Sequence, residues 1–505
     1  MRRAVLLAWS ILVIWSGSLY LRAALDPPPG RVFAGTFHWI DDFYNYASYV
    51  QQAEDGAFLF VNKQALPSDA RPELVNLEWW MVGQISRLAG QRPFLAYRIF
   101  GVLVTLALVA AVDRWLEAVG LPESHRLPAL LLVSFGGGLG GVLFEWTDTP
   151  INRCLDLAVG LFPFLGVFAN PHFVAGTTLL LWSLWAFTRL TGLQGAAVGA
   201  GLGTMLGLVR PYDLVLVGAT RLVGIALTAP PRHWLREALP LAGLVPVLIY
   251  NLWVFFVSRQ FSGFRAGPAF PLWRDLALAL GPAALLALWT LRRPARNPAE
   301  RVARVHLWAW TGLALAASAA RPGAFSVQFL VGAGVPLLVL GSLALAGRAP
   351  AWTTVAAVVF SGSAFAATRI ALRDDPNWFV PRERMAAGMA LRRICSHGDL
   401  VLAPPDIGLY AIGLSRCHAF LSHESSAHHA PRAAEARSFY GSWPAEVRSA
   451  WLDRMGVTHL VLPGDAGPQP TAWLGSGTPF RLAARIGHPT QLGVYVRSWP
   501  RAPVP

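Results

Sequence analysis

Repeated long apolar stretches constrain this chain of 505 residues more than any other feature of its sequence. Only 14% of the residues are charged, against about 25% in ordinary soluble domains. A helix needs about 20 apolar residues to cross the hydrocarbon layer, so the sequence predicts an α-helical polytopic membrane protein. By that measure it has about eleven spans, near 4–24, 94–112, 127–145, 174–190, 195–209, 213–229, 239–257, 275–291, 304–320, 326–346 and 351–369.

The net charge of +14 reflects topology and does not indicate nucleic-acid binding. The arginines are spread through short loops between apolar segments and form no basic stripe. With the N-terminus in the cytoplasm, the basic loops 230–238 and 292–303 also fall inside, as the positive-inside rule requires, although Arg259, Arg265 and Arg274 would lie outside. We therefore expect a multi-pass protein of the cytoplasmic (inner) membrane.

In this orientation the inner loops are short and the outer loops are long, so we expect the chemistry to take place on the outer face. A membrane domain, 1–370, carries the outer loops 26–92 and 146–173. The tail, 371–505, alternates short strands and helices and is predicted to be a small extracytoplasmic α/β domain. Cys395 and Cys417 lie in this tail, in a compartment where disulfides persist, so we expect them to pair.

The first outer loop opens with "HWIDDFYNYASYVQQAEDG", residues 38–56. Asp41 and Asp42 stand at the start of a helix-compatible pattern, where either can act as a helix cap. A carboxylate among aromatic side chains near a membrane also has a raised proton affinity, and can take a proton from an acceptor hydroxyl or amine. The residues alone leave both interpretations open.

Four polar residues flank later spans on the outer side. In "VRPYD", Arg210 and Asp213 form either an ion pair that ties a hairpin or part of a phosphate site, since guanidinium pairs well with phosphate. Arg321 ends the ninth span and Gln328 begins the tenth. Arg321 can face a phosphate or extend to the lipid headgroups.

The second outer loop and the tail supply weaker candidates. Asp148 is a candidate second carboxylate or a solvated loop charge, and His172 is a phosphate or acceptor ligand or a structural histidine. Asn170 is expected to cap the helix that begins at Pro171. The tail stretch "CHAFLSHESSAHHAP" contains four histidines, but their spacing matches no standard zinc pattern, so no metal site is predicted there. We expect this stretch to lie over the cavity that faces the membrane.

A hydrophobic first helix followed by an outer loop with "DDFYNYASY" resembles the GT-C superfamily of membrane glycosyltransferases, which includes protein mannosyltransferases and lipid A aminoarabinose transferases. The resemblance implies a sugar donor on a polyprenyl phosphate, used at the outer leaflet. It also implies that Asp41, slightly preferred, or Asp42 is the catalytic base, with Tyr44 near the substrate. Arg210 and Arg321 would hold the donor phosphate, and Asp148, His172, Asp213 and Gln328 would line the substrate site.

The expected partners are a polyprenyl-phosphate-linked sugar, membrane lipid and an acceptor that the sequence does not identify. Mg²⁺ or Mn²⁺ can assist such chemistry, but no carboxylate cluster in the sequence requires either ion. Two other functions stay open, a transporter or flippase of lipid-linked envelope material and a non-catalytic envelope-assembly protein. Paired halves and an inverted repeat, which favour a transporter, are not evident in the sequence.

Overall fold

The computed structural model describes residues 2–37, 40–146, 160–190, 192–258, 273–320, 326–423, 428–464, 471–475, 478–487 and 492–498. Its helices are α1 (Arg3–Leu25), α2 (Ile40–Glu54), α3 (Leu77–Leu88), α4 (Pro93–Ala118), α5 (Arg126–Phe135), α6 (Gly140–Trp146), α7 (Pro163–Ala169), α8 (Pro171–Arg189), α9 (Gly192–Val209), α10 (Pro211–Thr228), α11 (Trp234–Ala238), α12 (Val245–Phe256), α13 (Trp273–Leu288), α14 (Pro298–Ala320), α15 (Gly334–Leu345), α16 (Pro350–Val359), α17 (Gly362–Ala371), α18 (Arg382–Ile394), α19 (Pro405–Leu414), α20 (His429–Tyr440), α21 (Ala445–Met455) and α22 (Thr471–Leu474).

Within the described residues, eight helical segments are long and apolar enough to cross a membrane, and each coincides with a predicted span. They are 3–25, 93–118, 192–209, 211–228, 231–256, 273–292, 327–345 and 350–371. Of the other three predicted spans, 127–145 is divided between two shorter helices, whereas 174–190 and 304–320 lie in helices that are long enough but do not meet the composition criterion of the eight. The chain is therefore a mostly helical, multi-pass membrane protein.

The prediction of one continuous helix over 127–145 is wrong. The helix ends at Phe135, and a second, shorter helix begins only at Gly140. Between them the amide of Gly137 donates a hydrogen bond of 2.7 Å to the carbonyl of Phe360. A break inside the bundle is tolerated because neighbouring helices satisfy the backbone groups that the helix leaves unpaired. The glycines at this break allow that close approach of two backbones.

Three helices that carry site residues begin with proline. Pro93, Pro171 and Pro211 start α4, α8 and α10. Proline suits the first helical position because the N–H that it lacks would have no partner inside the helix. Asn170 caps α8 by accepting a hydrogen bond from the amide of His172, as the sequence predicts. The residues next to these prolines are thereby fixed at the ends of the helices.

The tail folds into a small mixed α/β domain. Its five-stranded sheet has the order β4 (His418–Ala419), β3 (Leu400–Leu402), β5 (His459–Pro463), β7 (Leu492–Arg497), β6 (Phe480–Ile486). β3 runs parallel to β4 and β5, and β7 runs antiparallel to β5 and β6. Cys395 and Cys417 form a disulfide, which confirms their predicted pairing.

The tail domain packs directly on the loop that follows α1. A short strand of that loop, β1 (Arg31–Phe33), pairs antiparallel with β2 (Phe379–Pro381). The side chain of Lys63 joins the same two parts of the chain, since its Nζ donates to Gln51 Oε1 at 2.8 Å and to the Ser415 carbonyl at 2.7 Å. The loop helices α2 and α3 are thereby held between the membrane helices and the tail domain.

Candidate functional site

Asp41 and Asp42 lie in the first turn of α2, where the helix dipole favours negative charge. Asp42 Oδ1 is 3.1 Å from His423 Nε2, a contact between the loop and the tail domain. The Asp42 side chain is 30% exposed, so a substrate can reach it. His423 belongs to the histidine-rich stretch of the tail, which the sequence predicts to lie over the site.

Asp41 has a different neighbour. Burial among loop and tail residues raises the pKa of Tyr410 to about 12, and the negative charges of Asp41 and Asp406 add to that rise against the opposing charge of Arg384. The charge of Asp41 therefore acts on Tyr410 of α19, whereas Asp42 contacts His423.

Tyr46 lies one helical turn beyond Asp42 and links it to α3. Its ring stacks on Trp79, with centroids 4.4 Å apart, and lies 5.7 Å from the ring of His172. Burial raises the pKa of Tyr46 well above its ordinary value, and the charge of Asp42 raises it further. Asp42, Tyr46 and His172 therefore belong to one continuous group of side chains.

Glu78 and His172 form a buried pair within this group. Glu78, on α3, is 0% exposed, and one of its carboxylate oxygens is hydrogen-bonded to His172 Nδ1. Burial raises the pKa of Glu78, while the nearby His172 and Arg210 lower it. Its second oxygen, Oε2, is buried without a hydrogen-bond partner among the described residues. An unpartnered buried acceptor is costly in a folded protein and is typical of a site that awaits a donor.

Tyr97 and Asn170 hold the histidine from its backbone side. The Tyr97 hydroxyl donates to Asn170 Oδ1 at 2.6 Å, and the same Oδ1 accepts the amide of His172 at 3.2 Å. Tyr97 comes from α4, so three separate segments of the chain fix the position of His172. The orientation of the His172 ring is thereby fixed, as is expected of a side chain that binds a ligand.

Arg210 and its partners form the part of the group that lies among the membrane helices, at the start of α10. Arg210 is 2% exposed, and its Nε donates to Asp213 Oδ2 at 2.9 Å. Its Nη1 and Nη2 donate to Gln328, at 3.2 Å to the side-chain oxygen and at 3.0 Å to the carbonyl. A Cβ on Gly176 would lie 2.0 Å from Arg210 Cδ, so glycine is required there.

The structure thus brings together five of the nine candidates that the sequence identifies, namely Asp42, His172, Arg210, Asp213 and Gln328. Asp41 shares the first turn of α2 with Asp42, but its charge acts on Tyr410. Tyr44 is set apart, because its side chain is fully buried against Tyr410 and its hydroxyl donates to the Ala34 carbonyl at 3.1 Å. Asp148 and Arg321 lie outside the described residues.

Sequence reasoning missed Glu78, Trp79 and Tyr97. One feature of the sequence could have identified Glu78. It is an isolated acidic residue among apolar ones in "NLEWWMV", which is unusual for a buried helix face. Tyr97 carries no such signal, because an aromatic residue in a predicted span is ordinary. Its role depends on a contact with a residue 73 positions away.

One group of potential metal ligands is present among the described residues, and it lies in the tail domain. Among the described residues, three potential ligand atoms meet within 4.8 Å at Cys395, Cys417 and His459, and the disulfide uses both sulfurs. The Nδ1 atom of His418, also in the tail, lies 2.9 Å from the Ala65 carbonyl, and burial lowers the pKa of His418 to about 4.

No protein-family sequence model matches the chain, and no curated protein sequence is significantly similar to it. Solved structures do resemble it. Arabinofuranosyltransferase AftD from mycobacteria aligns with 99% of this chain at a TM-score of 0.58 and 14% identity, and the chain spans 40% of the AftD chain. ArnT from Cupriavidus metallidurans aligns over 97% of both chains, with a TM-score of 0.52 and 13% identity when bound to undecaprenyl phosphate, and 0.51 and 14% in the apo state. The chain therefore adopts the fold of the GT-C membrane glycosyltransferases.

Proposed function

We propose that this protein is a glycosyltransferase that moves a sugar from a polyprenyl-phosphate donor to an acceptor at the outer face of the cytoplasmic membrane. The observation that carries the proposal is the continuous group from Asp42 through His172 to Arg210, in which carboxylates and a guanidinium meet between the helix bundle and the tail domain. ArnT, which shares the fold over nearly the full chain, has been solved with undecaprenyl phosphate.

We assign the catalytic base to Asp42, with Asp41 as the alternative that the sequence favoured. Asp42 is partly exposed and adjoins Tyr46, which contacts the ring of His172. In the reaction, Asp42 takes the proton of the acceptor hydroxyl or amine, and the acceptor atom bonds to the anomeric carbon. The bond from that carbon to the lipid phosphate oxygen breaks, and the phosphate leaves with the electron pair. A single displacement inverts the anomeric carbon.

Arg210 is proposed to hold the leaving phosphate together with Arg321. A guanidinium has five N–H donors. Among the described residues, each of the three Arg210 nitrogens makes one hydrogen bond, so Nη1 and Nη2 each keep a donor for an anion. Asp213 and Gln328 position the guanidinium. Asp148 is proposed as a second carboxylate of the same site.

Glu78 is proposed as a positioning residue for His172. An ionised Glu78 accepts the Nδ1 proton of the imidazole, which leaves Nε2 as the nitrogen that faces substrate. His172 is then a ligand of the sugar donor or of the acceptor. The neighbouring Tyr46 and Trp79 rings supply flat apolar surfaces of the kind that pack against sugars or lipid chains.

The test is to incubate the purified full-length protein with a panel of polyprenyl-phosphate sugars, with a membrane extract as acceptor pool. Mass spectrometry detects released polyprenyl phosphate and the glycosylated product. We expect Asp42→Asn to lower transfer by about a hundredfold or more, because general-base catalysis contributes about that much. Asp453→Asn, which removes an exposed carboxylate paired with Arg497, is the matched control and should transfer at the parent rate.

Transfer at the parent rate by both Asp41→Asn and Asp42→Asn would contradict the assignment of the base. A chain that moves labelled lipid-linked sugar across proteoliposomes without forming a new glycosidic bond would instead be a transporter. Thermal unfolding of each variant in detergent shows whether the fold is intact.

A further inference from the structure

A groove of about 530 Å³ lies between α1 and α4, outside the group of site residues. Its walls are mainly apolar and come from both helices and from the loop that carries β1, with Val13, Leu21, Phe33 and Leu95 among them. α1 and α4 are both candidate membrane spans. Leu21 and Leu95 are exposed at the rim, so the groove opens sideways to where lipid chains would lie.

Arg98 is the one charged side chain among the described residues that line this groove. Its guanidinium carbon lies 4.1 Å from the centre of the Tyr20 ring. The Nε and Nη2 atoms of Arg98 are buried and have no hydrogen-bond partner among the described residues. A cation in an apolar wall is costly unless it is paired, so unpaired buried donors point to an anionic ligand.

The remaining polar groups of the groove do not compete for that ligand. The Ser16 hydroxyl donates to the Leu12 carbonyl at 2.9 Å, and the Thr105 hydroxyl donates to the Gly101 carbonyl at 2.6 Å. Both are therefore satisfied within their own helices. Arg98 is left as the polar anchor of an otherwise apolar groove.

The depth of Arg98 fits a phosphate. It lies about one and a half turns after the start of α4 at Pro93, so it is close to one end of the span. Tyr20 is about as far from the end of α1 at Leu25. A charge near a span end is at the level of lipid headgroups, while the apolar walls extend towards the membrane interior.

The groove adjoins the candidate site along α4. Arg98 lines the groove and lies 5.1 Å from the centre of the Tyr97 ring, whose hydroxyl reaches Asn170 in the site, and Pro171 lines the groove as well. Because the rim at Leu21 and Leu95 is exposed, a lipid can enter the groove from the bilayer side. Gly17 of α1 also lines the groove, and a Cβ there would meet nothing within 4 Å, so open space adjoins a helical glycine.

We propose that this groove binds one anionic phospholipid of the surrounding bilayer, with an acyl chain between α1 and α4 and the lipid phosphate on Arg98. The guanidinium supplies charge-assisted hydrogen bonds to the phosphate oxygens, and the aromatic ring of Tyr20 stacks on its other side. The lipid contributes to the packing of α1 against α4. This binding does not depend on sugar transfer.

Native mass spectrometry of the full chain, released from detergent after incubation with one lipid at a time, tests the proposal. The lipids are phosphatidylglycerol, phosphatidylethanolamine and undecaprenyl phosphate. We expect the parent protein to retain one phosphatidylglycerol, and Arg98→Gln to lower its retention about tenfold, because a charge-assisted contact is lost. Arg114→Gln, an exposed arginine on the same helix, is the matched control and should behave as the parent.

A second variant, Gly17→Phe, fills the groove and keeps Arg98. It should also lower phosphatidylglycerol retention about tenfold, because the chain has no room to enter. Equal retention of phosphatidylglycerol by the parent, Arg98→Gln and Gly17→Phe would overturn the site. Equal retention of phosphatidylethanolamine would overturn the requirement for net negative charge. Preferential retention of undecaprenyl phosphate through Arg98 would overturn the bilayer phospholipid as occupant, whether or not the protein transfers sugar.

Discussion

Arg210 and Arg98 carry the same charge into the helix bundle but have opposite surroundings. Arg210 is bound to Asp213 and Gln328. Arg98 lies against the rings of Tyr20 and Tyr97, and two of its nitrogens, Nε and Nη2, are buried without a hydrogen-bond partner among the described residues. Burying a charge costs free energy unless it is paired. The comparison indicates that Arg210 contributes to the stability of the fold through its paired donors, whereas Arg98 is retained at some cost in stability.

Removing the guanidinium of Arg210 should lower the stability of the fold more than any other change considered below. Arg210→Met leaves Asp213 buried without its partner, and breaking a buried pair on one side costs about 3–5 kcal/mol. The double variant Arg210→Met, Asp213→Leu removes both charges and should recover much of that loss. Thermal unfolding in detergent measures both. A double variant as unstable as the single one would show that the pair is not the source of the effect.

Lys63 is an intermediate case, since it is buried against neutral oxygens of Gln51 and Ser415. Burial lowers the pKa of Lys63 to about 7, from an ordinary value of 10.5. The unfolded chain therefore binds more protons between these two values, and stability should rise with pH across that window.

We expect the unfolding midpoint to increase by about 2 °C or more between pH 7 and pH 9.5, and Lys63→Met to remove this increase. Two controls separate the contribution of Lys63 from general effects of pH. The buffers have small heats of ionisation, and Arg87→Met removes an exposed charge of α3. A parent protein that loses stability over this range would contradict the prediction.

Glu78→Gln should weaken function more than stability, because the amide keeps the shape and can still contact His172. The amide presents no charge to the imidazole N–H, so we expect transfer to fall about tenfold, as for loss of one charged hydrogen bond. The pH profile of transfer provides the check, since it should shift for Glu78→Gln. An unchanged rate and an unchanged profile would leave Glu78 as a packing residue.

Arg98→Gln should change the stability of the fold least. The change should also be opposite in direction to the one that Arg210→Met causes. Removing a half-buried cation whose Nε and Nη2 have no hydrogen-bond partner among the described residues should leave the unfolding midpoint unchanged or raise it by about 1 °C in lipid-free detergent. Sugar transfer in detergent should stay within about twofold of the parent, because these two nitrogens donate to no described residue of the site. A large loss of stability without lipid would mean that Arg98 supports the fold as Arg210 does.

Features that depend on short stretches of chain were predicted from the sequence. Apolar runs identified all eight candidate spans among the described residues, because hydropathy is a property of consecutive residues. The Asn170 cap was predictable because a cap involves only neighbouring residues. The Arg210–Asp213 ion pair was one of two alternatives that the sequence offered, because the two residues are three positions apart. The disulfide between Cys395 and Cys417 also spans only 22 residues.

Contacts between distant residues decided the site itself. Asp42 and His423 are 381 positions apart, Arg210 and Gln328 are 118 apart, and Glu78 and His172 are 94 apart. The sequence by itself determined a membrane bundle with an α/β tail and an acidic pair beside the first span. Only the packing of the helices against one another and under the tail domain decided that Asp42 meets His423 and that Arg210 is paired while Arg98 is not. The physical reason is that partner choice for a buried charge depends on which distant groups packing brings within hydrogen-bond distance, and no local pattern contains that information.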